Sequence, residues 1–527
     1  VLTAARYDGT YDPAMTEPAP WWSTATVYQI YPRSFADSNG DGVGDLNGIR
    51  AHLDHLLWLG VDAIWLSPFY RSPMADFGYD VSDYCDVDPI FGTLADFDAL
   101  VADAHERGLK VIVDWVANHT SDQHPWFQAA RSSVEDPKRD WYVWRPQTDD
   151  GAPPNNWVTS WSEENAPAWT VDPVTNEWYL HLFLPQQPDL NWRNPEVVAA
   201  MHDVLRFWLD RGVDGFRLDV IHLIGKDEGL ADDPEEFLPL PHVVLNHDPS
   251  TFPLLEGLRK VVDEYDGDRM LVGEIALIDT KMVADYYVDG RGLHLNFNFP
   301  PMFLPWEAGY WRMALDQVAA DIEPKGWPAW VLGNHDQPRQ ATRYGSEARA
   351  RVAAFLLLGQ RGTPFLYAGE ELGLEDAEVP ADRVVDPGGR DGCRAPIPWN
   401  AAADHGWGTE DPWLPWPPDT DERNVDAQTA DDASIANLYR RLLAARKASP
   451  ALTAGAQTTI GSDDATLVWE RVEGDDRRRV AVNFTDADAT PAADLDGWVV
   501  EVATDVALEG APLTVLPPDT AAVLRPA

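Results

Sequence analysis

Apolar residues along this chain recur in short β-branched runs that end in polar or charged residues and lead into stretches with helical spacing. Eight such runs lie at 27–32, 63–68, 110–115, 215–220, 270–275, 295–300, 329–336 and 363–370. Between them are amphipathic segments such as 94–108, 197–212 and 346–359, each closing on a glycine. Eight strands alternating with helices predict parallel pairing and an α/β fold closed into a (β/α)₈ barrel. Such barrels carry their chemistry at the C-terminal ends of the strands. Acids, histidines and arginines concentrate there in this chain.

Two intervals depart from a plain barrel. Residues 118–194 are rich in Trp, Pro and Asn without a long helical period, which predicts a subdomain inserted after the third strand. Residues from about 372 to 432, rich in Pro, Asp and Trp, read as a second insertion. After a helical stretch at 433–448, alternation returns at 466–471, 479–484, 497–502 and 520–524. The predicted organisation is an extension at 1–20, a barrel over 21–117 and 195–450, the insert 118–194, and an antiparallel β-sandwich over 451–527.

Composition narrows the partners. A formal net charge of −47 repels nucleic acid and anionic lipid but leaves neutral substrates unaffected. No window approaches eighteen consecutive apolar residues, so no transmembrane helix is expected, and the first twenty residues lack the order of a secretory signal. Two cysteines, Cys85 and Cys393, are expected to be free thiols in a reducing cytoplasm.

Three strand ends carry candidate chemistry. In the run Gly215-Phe-Arg-Leu-Asp219, strand alternation puts Arg217 and Asp219 on one side and Phe216 and Leu218 on the other. Alone, that can also be read as a buried ion pair, but an Arg beside an Asp would keep the carboxylate ionised, as a nucleophile requires. The apolar run Leu271-Val-Gly-Glu274 ends in one carboxylate. Apolar surroundings raise a carboxyl pKa and suit a proton donor, although a Glu there also suits a helix cap. Asn334-His335-Asp336 ends the seventh run and could itself be a capping turn. Capping does not readily explain acids at the ends of the fourth, fifth and seventh strands together. Two carboxylates about 5–5.5 Å apart would make a retaining glycosidase.

These runs, with Asp114-Trp-Val-Ala-Asn-His119, stand in the order found in the α-amylase family (glycoside hydrolase family thirteen), which the chain resembles from Trp22 onward. The resemblance implies that Asp219 is the nucleophile, Glu274 the acid/base and Asp336 a third acid that holds and distorts the sugar. It implies that Arg217, His119 and His335 bind sugar hydroxyls, and that Tyr79 stacks on the sugar beside a hydroxyl-binding Asp80. Phe183 to Asn191, with Gln187 inside, and Arg390-Asp-Gly-Cys-Arg394 are similar to segments of the oligosaccharide α-glucosidases. In that subgroup an Arg, taken as Arg390, closes the pocket with Asp80 and enforces exo action on terminal glucose. Val220 after the nucleophile resembles enzymes that accept α-1,6 links.

Asp37-Ser-Asn39-Gly-Asp41-Gly-Val43-Gly-Asp45 places oxygens as an EF-hand loop does at positions 1, 3, 5, 7 and 9, but Gly48 stands where the bidentate Glu would be. A solvated acidic turn fits as well. Oligo-glucosidases carry a similar loop, so the resemblance implies one structural calcium or magnesium on Asp37, Asn39, Asp41, Asp45 and the Val43 carbonyl, and no catalytic cofactor.

The expected function is retaining exo-α-glucosidase action on short oligosaccharides or α-glucosides, with some transglucosylation, in a cytoplasmic monomer or homodimer. A glucosyl isomerase or transferase of the same family, of the trehalose or sucrose type, would use the same acids. A non-catalytic relative of transporter heavy chains would lack them and carry a membrane anchor.

Overall fold

The structure, a computed structural model, describes residues 19–161 and 166–527, so most of the extension expected at 1–20 lies outside the described residues. Eight parallel strands form a closed barrel: β1 (Val27–Ile30), β2 (Ala63–Leu66), β3 (Lys110–Val116), β4 (Gly215–Asp219), β5 (Met270–Gly273), β6 (Leu295–Asn298), β7 (Trp327–Val331) and β8 (Thr363–Tyr367). Each pairs with its sequence neighbours, and β8 closes on β1 through Val27 opposite Phe365. Most strands end before the predicted runs do, whereas β3 extends to Val116 and β4 ends on Asp219 itself. The seventh begins two residues earlier than its apolar run, at Trp327.

Alternation sorts the two faces of the barrel. Trp65, Ile112, Val272, Phe297, Val331 and Phe365 fill its interior, while Phe216, Leu218, Leu271 and Leu366 pack outward in the core shared with the helices. Arg217 and Asp219 therefore point inward at the mouth. The helix Leu94–Glu106 starts on a capping box between Thr93 and Asp96. The helix Pro195–Asp210 begins with Asn194 capping and Pro at its first position.

After β3 the chain builds a short helix, Pro125–Ser132, and a three-stranded antiparallel sheet of Trp144–Pro146, Glu177–Leu180 and Trp169–Val171. Its core of Trp157, Trp169, Leu180 and Phe183 is continuous with Val220 and Leu223 just after β4, so the insert is fastened to the barrel mouth. The C-terminal region is one five-stranded antiparallel sheet: β9 (Ala456–Ser462), β10 (Thr466–Glu473), β11 (Asp476–Asn483), β12 (Trp498–Ala503) and β13 (Ala521–Pro526), in the order β9-β10-β11-β13-β12. One face joins the barrel core through Trp469 and Val480. In place of the second sheet expected of a sandwich, irregular segments 485–497 and 504–519 cover the other face, with an isolated bridge between Ala489 and Leu516. Strand β9 had no apolar alternation to reveal it, being half-exposed and bulged at Gly461.

Both cysteines are unpaired, Cys393 buried and Cys85 partly so. Among the described residues no helix is long and apolar enough to cross a membrane.

Candidate active site

A cavity of about 730 Å³ opens at the C-terminal ends of the strands and is lined by Asp76, Tyr79, His119, Phe183, Asp219, Glu274, Asp336 and Arg390, among others. Its floor is organised by Arg217, whose side chain is only 2% exposed. One nitrogen, Nη1, donates to Asp114 Oδ1 at 2.8 Å and to Asp219 Oδ1 at 2.6 Å, and Nη2 donates to Glu274 Oε2. Asp219 and Glu274 are thus held by adjacent arms of one guanidinium, each through a single carboxylate oxygen. Among the described residues the other oxygens, Asp219 Oδ2 and Glu274 Oε1, have no hydrogen-bond partner, and both residues line the cavity.

Local backbone supports this placement. Val220 adopts a left-handed conformation at φ 35°, strained for a β-branched residue at a cost of roughly 1–3 kcal/mol. The turn lets its N–H donate to Glu274 Oε2 at 3.1 Å. Gly273 is required before Glu274, because a Cβ there would lie 2.4 Å from Leu293 Cδ1. At Gly333 a Cβ would meet only the end of the Glu370 side chain, at 2.2 Å, which would have to move.

The electrostatics of Asp219 depart from the expectation of a carboxylate kept ionised by its arginine. Burial pushes its carboxyl well above the usual range; Arg217 pulls it down, but Glu274 and Asp114 compete for the same cation and push it up again. Burial also raises Asp114 to about 6 against the pull of Arg217. Asp114 and Asp219 share this one cation, so a proton gained by either belongs to the pair.

Asp336 sits in the opposite situation. Its Oδ1 accepts from Arg390 Nη1 at 3.0 Å and Arg394 Nη2 at 3.1 Å. Burial alone would raise its carboxyl, yet the cationic surroundings outweigh it and hold Asp336 well below the usual carboxylate range. His335, 3.2 Å away, is pushed down to about 3 by burial and is neutral at neutral pH, so the arginines carry the effect.

Arg390 spans the inner wall. It pairs with Asp76 at 2.5 Å, with Asp386 at 2.6 Å and with Asp336, and its guanidinium lies 4.2 Å from the centre of the Trp161 ring. The partner expected there, Asp80, is not the one found. Asp80 is fully buried, and its carboxylate accepts from Ser72 Oγ and from the Ala75 and Asp76 amides, which folds the 72–80 loop and presents Asp76. Nothing in the pattern of 72–80 distinguished the two, since the loop turns through left-handed Met74, Phe77 and Gly78. Asp114, Asp386 and Arg394 were likewise not assigned: alternation on β3 marks Asp114 as the inward neighbour of Arg217, whereas Asp386 and Arg394 lie in an irregular segment with no period to mark them.

The remaining expected residues divide into wall and support. Tyr79, His119 and Phe183 line the cavity. Arg217, His335 and Gln187 stand behind it: His335 stacks between Tyr79 and Tyr31, and Gln187 donates to Asp76 Oδ2 at 2.9 Å.

In the acidic loop 37–45, Asp37 accepts from the Asn39, Gly40 and Gly42 amides, and Asp45 accepts from Ser38 and from Gly48 N. Gly40 and Gly42 take the positive φ this turn needs. Among the described residues, however, no three His, Cys, Asp or Glu side chains converge as a metal cage.

Comparison with known proteins places this geometry. Residues 29–455 match the family model described as the alpha amylase catalytic domain. A probable alpha-glucosidase of Rhizobium meliloti (strain 1021) is 42% identical over 504 residues, covering 89% of this chain and 90% of that protein. An oligo-1,6-glucosidase of Parageobacillus thermoglucosidasius is 38% identical, covering 88% and 91%. Among solved structures, the alpha-glucosyl transfer enzyme XgtA superposes with a TM-score of 0.89 at 40% identity, over 97% of this chain and all of that one.

Proposed function

The chain belongs to the α-amylase family of glycoside hydrolases, and from that premise we propose that it is a retaining exo-α-glucosidase that removes terminal α-linked glucose from short oligosaccharides or α-glucosides. The observation that carries the reading is the pair Asp219 and Glu274, each tied by one oxygen to Arg217 and each offering the other to the cavity.

The chemistry is a double displacement. Asp219 Oδ2 attacks the anomeric carbon while Glu274 Oε1 gives its proton to the glycosidic oxygen, so the C–O bond breaks and the alcohol leaves. The step needs one proton on Glu274 and none on Asp219. Water then passes a proton back to Glu274, its oxygen bonds to the anomeric carbon, and the ester to Asp219 breaks. Two inversions return the α configuration. Tyr79 offers a ring face to the sugar, and His119, Asp336 and Asp76 offer groups for its hydroxyls. The Arg390 fork with Asp76 and Asp336 walls the inner end, which supports cleavage of a single terminal residue.

Proton NMR early in the reaction, before mutarotation, tests this: α-glucose is expected first, and β-glucose first would remove Asp219 from the nucleophile's role.

Two further readings belong to the same proposal. The 37–45 loop holds one calcium or magnesium ion through Asp37, Asn39, Asp41, Asp45 and the Val43 carbonyl, a hard-oxygen set suited to either cation. Two unpaired cysteines support a reducing, cytoplasmic setting. A second enzymatic reading, transfer of the glucosyl group to an acceptor other than water, shares every step up to the glucosyl-enzyme and is favoured by the likeness to a glucosyl transfer enzyme. Free glucose from maltose and sucrose supports hydrolysis, and rearranged disaccharide supports transfer.

A further inference from the structure

Glu370, in the turn after β8, is a buried acid that the reaction described above does not use. It is 5% exposed, and among the described residues neither of its carboxyl oxygens has a hydrogen-bond partner. Three polar groups near it are unpaired in the same way: the hydroxyls of Tyr344 and Tyr439 and Nε2 of Gln340. Its neighbour Glu371 is paired instead, accepting from the Tyr28 hydroxyl at 2.8 Å and the Gly369 amide at 3.0 Å.

The cations facing Glu370 are committed elsewhere. Arg339 Nη1 donates to the Ala368 carbonyl at 2.7 Å. Arg343 donates through Nε to the Pro338 carbonyl at 2.9 Å, through Nη1 to that of Met302 and through Nη2 to that of Leu332. Burial, reinforced by Glu371, pushes the Glu370 carboxyl up to about 8 against the pull of Arg343, the Tyr367 amide and Arg339. Tyr344 and Tyr439 are raised by their own burial and stay uncharged at that pH. Glu370 is therefore a neutral acid at neutral pH.

Its neutrality protects a tie across the cavity wall. Leu332 leads directly into Gly333-Asn334-His335-Asp336, and Asn334, Asp336 and Met302 all line the cavity. Arg343 thus joins two segments of that wall through their backbone carbonyls. Glu370 Oε1 lies against one of them, where a Cβ added to Gly333 would fall 2.2 Å from it. A carboxylate buried there without a partner is costly, and Arg343 is the strongest counter-charge facing it. Ionised Glu370 would draw Arg343 off the two carbonyls, and the turn that carries Asp336 would lose its anchor.

Resting on the glucosidase reading above, we propose that Glu370 is a positioning residue: as a neutral acid it leaves Arg343 on the Leu332 and Met302 carbonyls and so keeps Asp336 on the sugar. Ionisation of Glu370 releases that tie, and glucosyl transfer to Asp219 falls with it.

The test is the pH dependence of kcat/KM for α-glucosyl fluoride. Fluoride departs without protonation, so ionisation of Glu274 produces no alkaline limb with this donor. One ionisation near 8 should lower the parent's kcat/KM about tenfold between pH 7 and pH 9. Glu370→Gln keeps the shape of the neutral acid and cannot ionise, so its profile should stay flat over that range. Melting temperature gives a second readout. The folded chain keeps a proton on Glu370 that the unfolded chain releases near 4.5, so this residue costs stability increasingly as pH rises from there to about 8. The melting advantage of Glu370→Gln over the parent should grow across that window and level off above it. If Glu370→Gln does not fold, Glu370→Met, of similar length and also uncharged, takes its place in both measurements. An alkaline limb that survives in the variant, or a parent profile flat to pH 9, overturns the positioning role and leaves the glucosidase reading standing. If no glucose forms from the fluoride at any pH, the glucosidase reading fails and this proposal fails with it.

Discussion

Replacing Arg390 should separate pocket closure from chemistry. Its side chain, 5% exposed, is the cation of Asp76 and shares Asp336 and Asp386 with Arg394. In Arg390→Ala, Asp336 and Asp386 keep Arg394, but among the described residues Asp76 is left with only the Gln187 amide at 2.9 Å. Removing one partner of a buried pair costs about 3–5 kcal/mol, and here one carboxylate loses its only cation, so the stability loss at pH 7 should fall in that range. If Asp76 and Asp336 bind sugar hydroxyls in the transition state, their displacement should cost kcat/KM on maltose about 10²–10³-fold, roughly 3–4 kcal/mol. The acid limb carries a sign. Asp336 has its folded carboxyl held below the unfolded value of about 3.9, so its contribution is present above that value and lost as pH falls through the lower folded one. Without Arg390 the folded value moves up, and acid unfolding should begin at higher pH than in the parent. Thermal melts across pH and initial rates of glucose release measure both effects. Arg390→Lys should recover part of the stability but little of the rate, because one ammonium cannot bridge Asp76, Asp336 and Asp386 as the planar fork does. A kcat/KM within threefold of the parent, with an unmoved acid limb, would refute this reasoning.

Two other expectations are sharp. Glu274→Gln should abolish maltose hydrolysis yet preserve a first-step burst on donors with good leaving groups, which depart without protonation; equal loss on both would move the acid role elsewhere. A strong chelator should lower the melting temperature if the 37–45 loop binds a cation, and Asp41→Ala should lower it likewise and abolish the chelator effect; no change in either leaves a solvated turn.

How legible the molecule was in its sequence follows from which features repeat. The barrel is periodic, so every strand could be found, and alternation alone placed Arg217 and Asp219 inside while Phe216 and Leu218 packed outward. Acids at the tips of β4 and β5 and after β7 were visible because an apolar run that stops on a carboxylate is a local signal. What depended on long-range convergence was not visible. Asp76 was passed over for Asp80 because which of two carboxylates faces the cavity is decided by hydrogen bonds to Ser72 Oγ and loop amides. The ionisation of Asp219 was misread for a related reason: Arg217 looked like a private partner, whereas Asp114 reaches it from β3 and Glu274 from the end of β5.

The two arginine clusters give the two sides of one cavity different electrostatics. Arg217 faces three acids alone, whereas Arg390 and Arg394 between them face Asp76, Asp336 and Asp386. Counted as fully ionised, the first group would carry two net negative charges and the second only one. The carboxyls respond accordingly: burial raises Asp114 and Asp219, while Asp336 and Asp386 are held low by their arginines despite burial. The second cluster therefore keeps fixed anions where sugar hydroxyls are bound, while the first shares one cation among the acids beside the scissile bond. The link between the clusters is uncharged. Tyr79 donates to Asp114 Oδ2 at 3.1 Å and lies 2.7 Å from His335 Nε2, which is 3.2 Å from Asp336. Gln29 donates to His335 Nδ1, so the neutral ring carries its hydrogen on Nε2, facing Tyr79 and Asp336. A cationic histidine at that point would draw Asp114 and Asp336 into one network and weaken the separation; burial of His335 between two tyrosine rings prevents it.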